Sequence, residues 1–242
     1  MDEDRQISED RKQAAGPLTR AEASAAVSSL GWRYLLGVAR TCVDVRSLSH
    51  AAGILARLDD EVGADGERLL IDVRPGFLVL TVQNLAAGAL TANDADLVRR
   101  ISALLAERGL RADPRVGAAA ERSVQMLEIA IDALDTASIR PFWKAALGYG
   151  DEPGHLGPQD AIIDPAGQGP AVWFQQMTEP RPQRNRIHLD ISVPHDEARG
   201  RIEAALEAGG TLVSDAEAPA FWVLADAEGN EACICTWQGR DG

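Results

Sequence analysis

The sequence of 242 residues predicts an α+β protein in two parts, on three observations. The first half runs helix, two strands, helix, two strands, helix, the order of a four-stranded antiparallel sheet with helices on one face. The second half repeats itself. An extended run, Glu128–Ala133, leads into a helical segment at 138–148; sixty residues later His188–Val193 leads into another at 197–209. Such a duplicated strand-helix-strand unit reads as two related halves around a cleft. Hydrophobic residues make up 45% of the chain, enough for a core in each part.

The elements follow in chain order. Residues 1–16 are charged and nearly free of large apolar groups, as in a disordered tail. Thr19-Arg-Ala-Glu22 has the form of a capping box, which starts a helix running to about Leu30. Trp32-Arg-Tyr-Leu-Leu and Val38–Val45 flank Gly37 as a hairpin, and a helix from Ser47 to about Val62 turns Leu48, Leu55 and Leu58 to the core. Leu69–Val73 and Phe77–Val82 form a second hairpin around Arg74-Pro-Gly76. Thr91-Ala-Asn-Asp94 starts a helix with the stripe Leu97, Val98, Ile101, Leu104 and Leu105, and Gly109 is suited to stop it. Residues 17–109 are thus one domain, 110–123 a linker and 124–242 a second domain.

Charge limits the partners. The formal net charge is -13, of which residues 124–242 carry -11. That surface repels phosphate backbones, so neither nucleic acid nor an anionic membrane is expected. No apolar run reaches the roughly 20 residues of a spanning helix, and the first residues lack the pattern of a signal peptide. Three cysteines do not make a disulfide framework. Together these predict a cytoplasmic protein with a small-molecule ligand.

Four donor-type residues recur in the second half. Glu128 and Gln175 stand 47 residues apart in the first copy, His188 and Cys233 45 apart in the second. Asp190 follows His188 by two, which puts both side chains on one face of a strand, where a carboxylate orients an imidazole and raises its basicity; a simple buried pair is the alternative. Trp143, Trp173, Phe174, Phe221 and Trp222 concentrate aromatic residues here, either as core or as a platform for a flat ligand, for which Trp173 and Trp222 are the candidates. Arg184 and Arg186 precede the His188 strand, either solvated or as clamps for a substrate carboxylate. Asp226-Ala-Glu-Gly-Asn230 reads as a turn.

Leu18-Thr-Arg-Ala-Glu22, Leu30-Gly-Trp32, the 47–58 helix after Val43-Asp-Val45, and Leu90-Thr-x-x-Asp94-x-x-Leu97 give residues 17–109 a layout that resembles the pterin-4a-carbinolamine dehydratases. That family uses histidines in two segments, which fall here near Glu67-Arg-Leu69 and Asn84-Leu85. Neither segment contains one, and the lone histidine of this half is His50, in a helix. Dehydration needs a group that exchanges protons near neutrality, so the resemblance implies a catalytically silent relative. An active 4a-hydroxytetrahydrobiopterin dehydratase is the rival reading.

Leu134-Asp-Thr-Ala-Ser-Ile-Arg-Pro-Phe-Trp143 with Leu147-Gly-Tyr149, Arg186-Ile-His-Leu-Asp190 and Asp226–Asn230 resemble the glyoxalase-like branch of the vicinal-oxygen-chelate superfamily. The resemblance implies paired βαβββ units whose sheets curl around a cleft. It implies a divalent metal, zinc, nickel or manganese, at Glu128, Gln175, His188 and Cys233, with His188, Glu128 and Asp190 as catalytic residues and Trp173, Gln175, Arg186 and Trp222 around the substrate. Cys233 stands where the metal enzymes usually have a glutamate, so a thiolate would be required there. The implied activity is of lyase or isomerase type, with a non-catalytic sequestering protein as the alternative and a homodimer as the expected assembly.

Overall fold

Two reciprocal bonds start the first helix: the Thr19 hydroxyl accepts from the Glu22 amide at 3.3 Å, and the Glu22 carboxylate accepts from the Thr19 amide at 2.9 Å. The chain is seen here in a computed structural model describing residues 16–115, 123–180, 183 and 187–239. The expectations for residues 1–15 and for half of the 110–123 linker, residues 116–122, lie outside the described residues. Close contacts divide the chain into two compact units between Met126 and Leu127.

In the first unit, α1 (Arg20–Ser28) precedes β1 (Arg33–Leu35) and β2 (Val38–Asp44). Both residues of the loop between these strands, Leu36 and Gly37, have positive φ (42° and 86°), the form a tight hairpin needs. Helix α2 (Leu48–Val62) is capped by Ser47, and a 3₁₀ turn, Gly63–Arg68, leads to β3 (Leu69–Arg74) and β4 (Phe77–Val82). The Thr91–Asp94 capping box then opens α3 (Ala92–Glu107). The sheet order is β1-β2-β4-β3, antiparallel throughout.

Alternate residues of the strands, among them Ala39, Val43, Leu78, Leu80 and Val82, join Ile54, Leu58, Leu97 and Ile101 of the helices in one core. One expectation fails here. Leu48 is 76% exposed, and the buried stripe of α2 is Ala51, Ile54, Leu58 and Val62. Leu48 lies on the first turn, at the edge of that stripe, where no neighbour covers it.

The second unit contains two copies of one topology. The first runs β5 (Glu128–Ala133), α4 (Thr136–Leu147), β6 (Gly150–Asp151), β7 (Ile162–Ile163) and β8 (Ala171–Gln176). The second runs β9 (Leu189–Ser192), α5 (Ala198–Glu207), β10 (Thr211–Ser214), β11 (Phe221–Ala225) and β12 (Glu231–Cys235). In each, the first strand pairs in parallel with the last, giving the orders β5-β8-β7-β6 and β9-β12-β11-β10, neither closed into a barrel. The paired βαβββ architecture expected from the sequence is therefore present.

Helices α4 and α5 cover one face of these sheets, and Ile131, Phe142, Trp143, Phe174, Leu224 and Ile234 share their core. Helix α4 ends at Gly148, whose φ of 70° is left-handed; a Cβ there would also meet the Arg201 guanidinium at 2.6 Å.

Candidate functional site

Strand alternation sorts the second unit's side chains into two faces. Ile129, Ile131, Val172 and Phe174 in the first repeat, and Leu189, Ile191, Trp222, Leu224 and Ile234 in the second, pack with the helices. The opposite faces of the two sheets carry Glu128, Asp132, Trp173 and Gln175 from β5 and β8, and Asp190, Ser192, Phe221 and the buried Cys233 from β9, β11 and β12. Trp173 and Gln175 are exposed there. Trp222 pairs with Ile234 and packs, partly buried, against the core, and its neighbour Phe221 faces the other way. Arg184 and Arg186 lie outside the described residues.

The register separates residues that the sequence spacing appeared to unite. Glu128 pairs with Ala171, and Gln175 pairs with Asp132, four residues further along β5. At roughly 3.3 Å per residue that is about 13 Å. Cys233 pairs with Asp190, and His188 sits exposed just before β9. The Asp190 carboxylate accepts from the Cys233 thiol.

Burial, chiefly, together with that bond and the charges of Asp190, Cys235 and Glu231, pushes the Cys233 thiol up from 9.0 to about 11, so it stays protonated at neutral pH. A divalent ion needs ligands at about 2.0–2.3 Å, and a thiol ligand must be ionised. The register keeps the four candidate donors from meeting the first condition, and among the described residues no three His, Cys, Asp or Glu side chains are grouped to hold an ion. Zinc, nickel or manganese at Glu128, Gln175, His188 and Cys233 does not fit this geometry.

The turn Asp226–Asn230, which the sequence showed only as a turn, joins the two repeats. The Glu228 carboxylate accepts from the amides of Leu134 (2.8 and 3.0 Å) and Asp135 (2.7 Å) at the start of α4. Asp226 accepts from the buried indole N–H of Trp143 at 2.9 Å and from the amides of Glu228 and Asn230. At the other end of α4 the Arg201 guanidinium donates to the Ala146 carbonyl at 3.3 Å. A negative group at a helix start and a positive one at its end both favour the helix dipole. Beside this joint lies a cavity of about 880 Å³, lined by Ile129, Asp132, Trp143, Leu189, Glu228 and Glu231 among others. The sequence signal for the joint was present in Asp226 and Asn230, but a turn motif does not say what the turn touches.

In the first unit, both segments where the resemblance places histidines lead to Asp94. Arg68 approaches its carboxylate at 3.4 Å, and Asn84 donates at 3.1 Å. The Thr91 amide and hydroxyl donate at 2.7 and 2.6 Å, and Asp94 itself is fully buried. A guanidinium that never loses its proton and an amide that never gains one cannot relay protons. His50 accepts from the Arg46 amide at 3.2 Å at the start of α2, a structural position. His195 likewise accepts from the Trp237 indole at 3.2 Å.

Residues 128–235 match the family described as a glyoxalase-like domain. No curated protein matches the chain. Among solved structures, the chain is similar to the hypothetical protein SA1046 from S. aureus, with 17% identity over 48% of this chain and 96% of that one and a TM-score of 0.36. It is also similar to a glyoxalase/bleomycin resistance protein/dioxygenase family enzyme from Burkholderia phytofirmans PsJN, with 16% identity over 45% and 95% of the two chains and a TM-score of 0.34. A transcriptional coactivator/pterin dehydratase from Brucella melitensis matches 37% of this chain, within its N-terminal region, and 98% of its own length, at 17% identity and a TM-score of 0.34.

Proposed function

We propose that the second unit is a small-molecule-binding domain whose ligand enters between the open sheet faces and the joint of the two repeats. The observation that carries this reading is the cavity of about 880 Å³ beside the joint, in a glyoxalase-like domain. Its volume lies in the range of ligand pockets, and an indole and aliphatic side chains among its lining supply apolar contact. On the open face, Trp173 offers a ring to a flat ligand, and the Gln175 amide both donates and accepts. Arg186 remains the proposed partner for a ligand carboxylate. Where turnover accompanies binding, a lyase or isomerase reaction would draw its proton transfer from His188, the exposed imidazole at the entry to β9, with Glu128 and Asp190 as the candidate carboxylates.

For the first unit we propose a scaffold without dehydratase activity. The bonds from Arg68, Asn84 and Thr91 to buried Asp94 support this, because none of the groups around it exchanges protons near neutral pH. The whole is proposed to act as a cytoplasmic homodimer without a nucleic-acid or membrane partner. Its net charge of -13 favours the latter point, and no described helix is long and apolar enough to cross a membrane.

The test is a thermal-shift screen of the whole protein against small aromatic and polar metabolites, repeated with Trp173→Ala. At least one compound should raise the melting temperature of the wild type and do so less in the variant. A screen in which every hit acts equally on both would remove the open face from the site.

A further inference from the structure

The cavity beside the joint is walled by both repeats. Ile129 and Leu134 come from the first, and Leu189, Glu228, Gly229 and Asn230 from the second. A molecule seated there touches both halves of the domain, so its affinity depends on how firmly they are held together. Three ties between the repeats reach the turn at 226–230. The Trp143 indole donates to Asp226 at 2.9 Å, the Leu134 and Asp135 amides donate to Glu228 at 2.8 and 2.7 Å, and the Asn230 side chain donates to the Asp132 carbonyl at 3.4 Å.

Asp226 is the hub of that turn. It is 3% exposed and is not one of the residues lining the cavity. Its Oδ1 accepts from the Glu228 and Asn230 amides, each at 2.9 Å, and so shapes the stretch that does line it. Its Oδ2 accepts from the Trp143 indole N–H and from the Asn230 side chain, again at 2.9 Å. A carboxylate offers an acceptor on both sides; an asparagine does not. With its oxygen kept toward the turn, an asparagine would set its NH2 against the indole N–H. Trp143 is buried, and an indole has no acceptor form, so that contact cannot be repaired.

We propose that Asp226 is a positioning residue for the small-molecule site: it shapes the wall at 227–230 and clamps it to α4, so that the cavity is formed before a molecule enters. The inference rests on the ligand-binding reading of this domain and adds a residue that sets the site's affinity without touching the ligand. Such preorganisation raises affinity because the wall need not be ordered on binding. It favours a small rigid molecule, which cannot adapt to a wall that moves.

The test uses indole, an uncharged rigid probe, and the full chain. Its dissociation constant is measured by ligand-observed NMR, with urea unfolding alongside, for wild type, Asp226→Asn, Trp143→Phe and the double variant. Asp226→Asn should weaken indole by about threefold or more, and the same exchange made together with Trp143→Phe, which removes the opposing N–H, should cost clearly less. Lower stability with an unchanged dissociation constant marks a purely structural residue and overturns the proposal, as does an equal loss with and without Trp143→Phe. Should Asp226→Asn fail to unfold cooperatively, Glu228 decides. Glu228→Ala should weaken indole, and Glu228→Gln, which keeps an acceptor for the Leu134 and Asp135 amides, should recover most of the loss; equal affinity in these two variants overturns the proposal. No indole binding to the wild type overturns it as well, whereas the metabolite screen above decides separately whether the domain binds small molecules at all.

Discussion

The Cys233 thiol is expected to react far more slowly than its chemistry allows, and Asp190 to be part of the reason. Burial raises its pKa from 9.0 to about 11, with the Asp190 bond and charge adding to the effect. At pH 8 an ordinary thiol with the lower value is about 10% thiolate, whereas one at the upper value is about 0.1%, so alkylation slows by about a hundredfold from ionisation alone. Asp190→Asn removes the facing charge and leaves burial in place. The midpoint should then fall only part of the way, by on the order of half a unit to one unit, which speeds alkylation about three- to tenfold at pH 8.

The assay is iodoacetamide labelling from pH 7 to pH 11 with peptide mapping of Cys42, Cys233 and Cys235. Restricted access slows labelling at every pH, so the midpoint of the pH profile isolates ionisation. A wild-type midpoint near 9, or superimposable profiles for wild type and Asp190→Asn, would refute the reasoning. The linked stability has a definite sign. Because the folded value lies above the unfolded one, the protonated thiol's contribution is complete below about pH 9 and is lost as pH rises toward 11, by about 3 kcal/mol at most.

Four further outcomes follow from named contacts. Glu228→Ala leaves the Leu134 and Asp135 amides without their carboxylate, and should cost the second unit about 1–2 kcal/mol in urea unfolding. Gly148→Ala puts a side chain into a left-handed position against Arg201, so a loss of at least about 1 kcal/mol is expected in the same assay. Leu36→Asn replaces a leucine at positive φ with a residue that tolerates it; it should raise the melting temperature of the first unit through a gain of about 1 kcal/mol. Asp94→Ala takes the shared acceptor from Arg68, Asn84 and the Thr91 amide and should destabilise the first unit by about 2–4 kcal/mol. In the wild type, turnover of a pterin 4a-carbinolamine above the spontaneous rate would overturn the scaffold role of that network.

The first unit was legible in the sequence because its local signals agree with one another. Thr19 with Glu22 and Thr91 with Asp94 mark helix starts that the structure reproduces with both bonds of each box. Leu97, Val98, Ile101 and Leu105 form the buried stripe expected of α3. The second unit showed its duplication but not all its strands. Strands β6 and β7 have two residues each, too few for any period, and β10 is largely exposed. Phe221 and Trp222 are adjacent aromatics, and alternation guarantees only that they face opposite ways; packing against Ile234 and the helices decided that Trp222 is the inward one.

The candidate metal set shows where spacing stops carrying information. The 47 residues from Glu128 to Gln175 pass through a helix, two short strands and their loops, so the count is blind to which rung each residue occupies. Register is set by the apolar alternation, because a slip of one residue would turn every buried side chain outward. Ile129 and Ile131 must face the helices, as must Val172 and Phe174, and the observed register puts Ile129 beside Val172 and Ile131 beside Phe174. The same constraint in the second repeat puts Ile191 beside Ile234. Once these apolar pairs are fixed, Asp132 must meet Gln175 and Asp190 must meet Cys233. The core of the domain therefore selects which polar residues its open face can bring together.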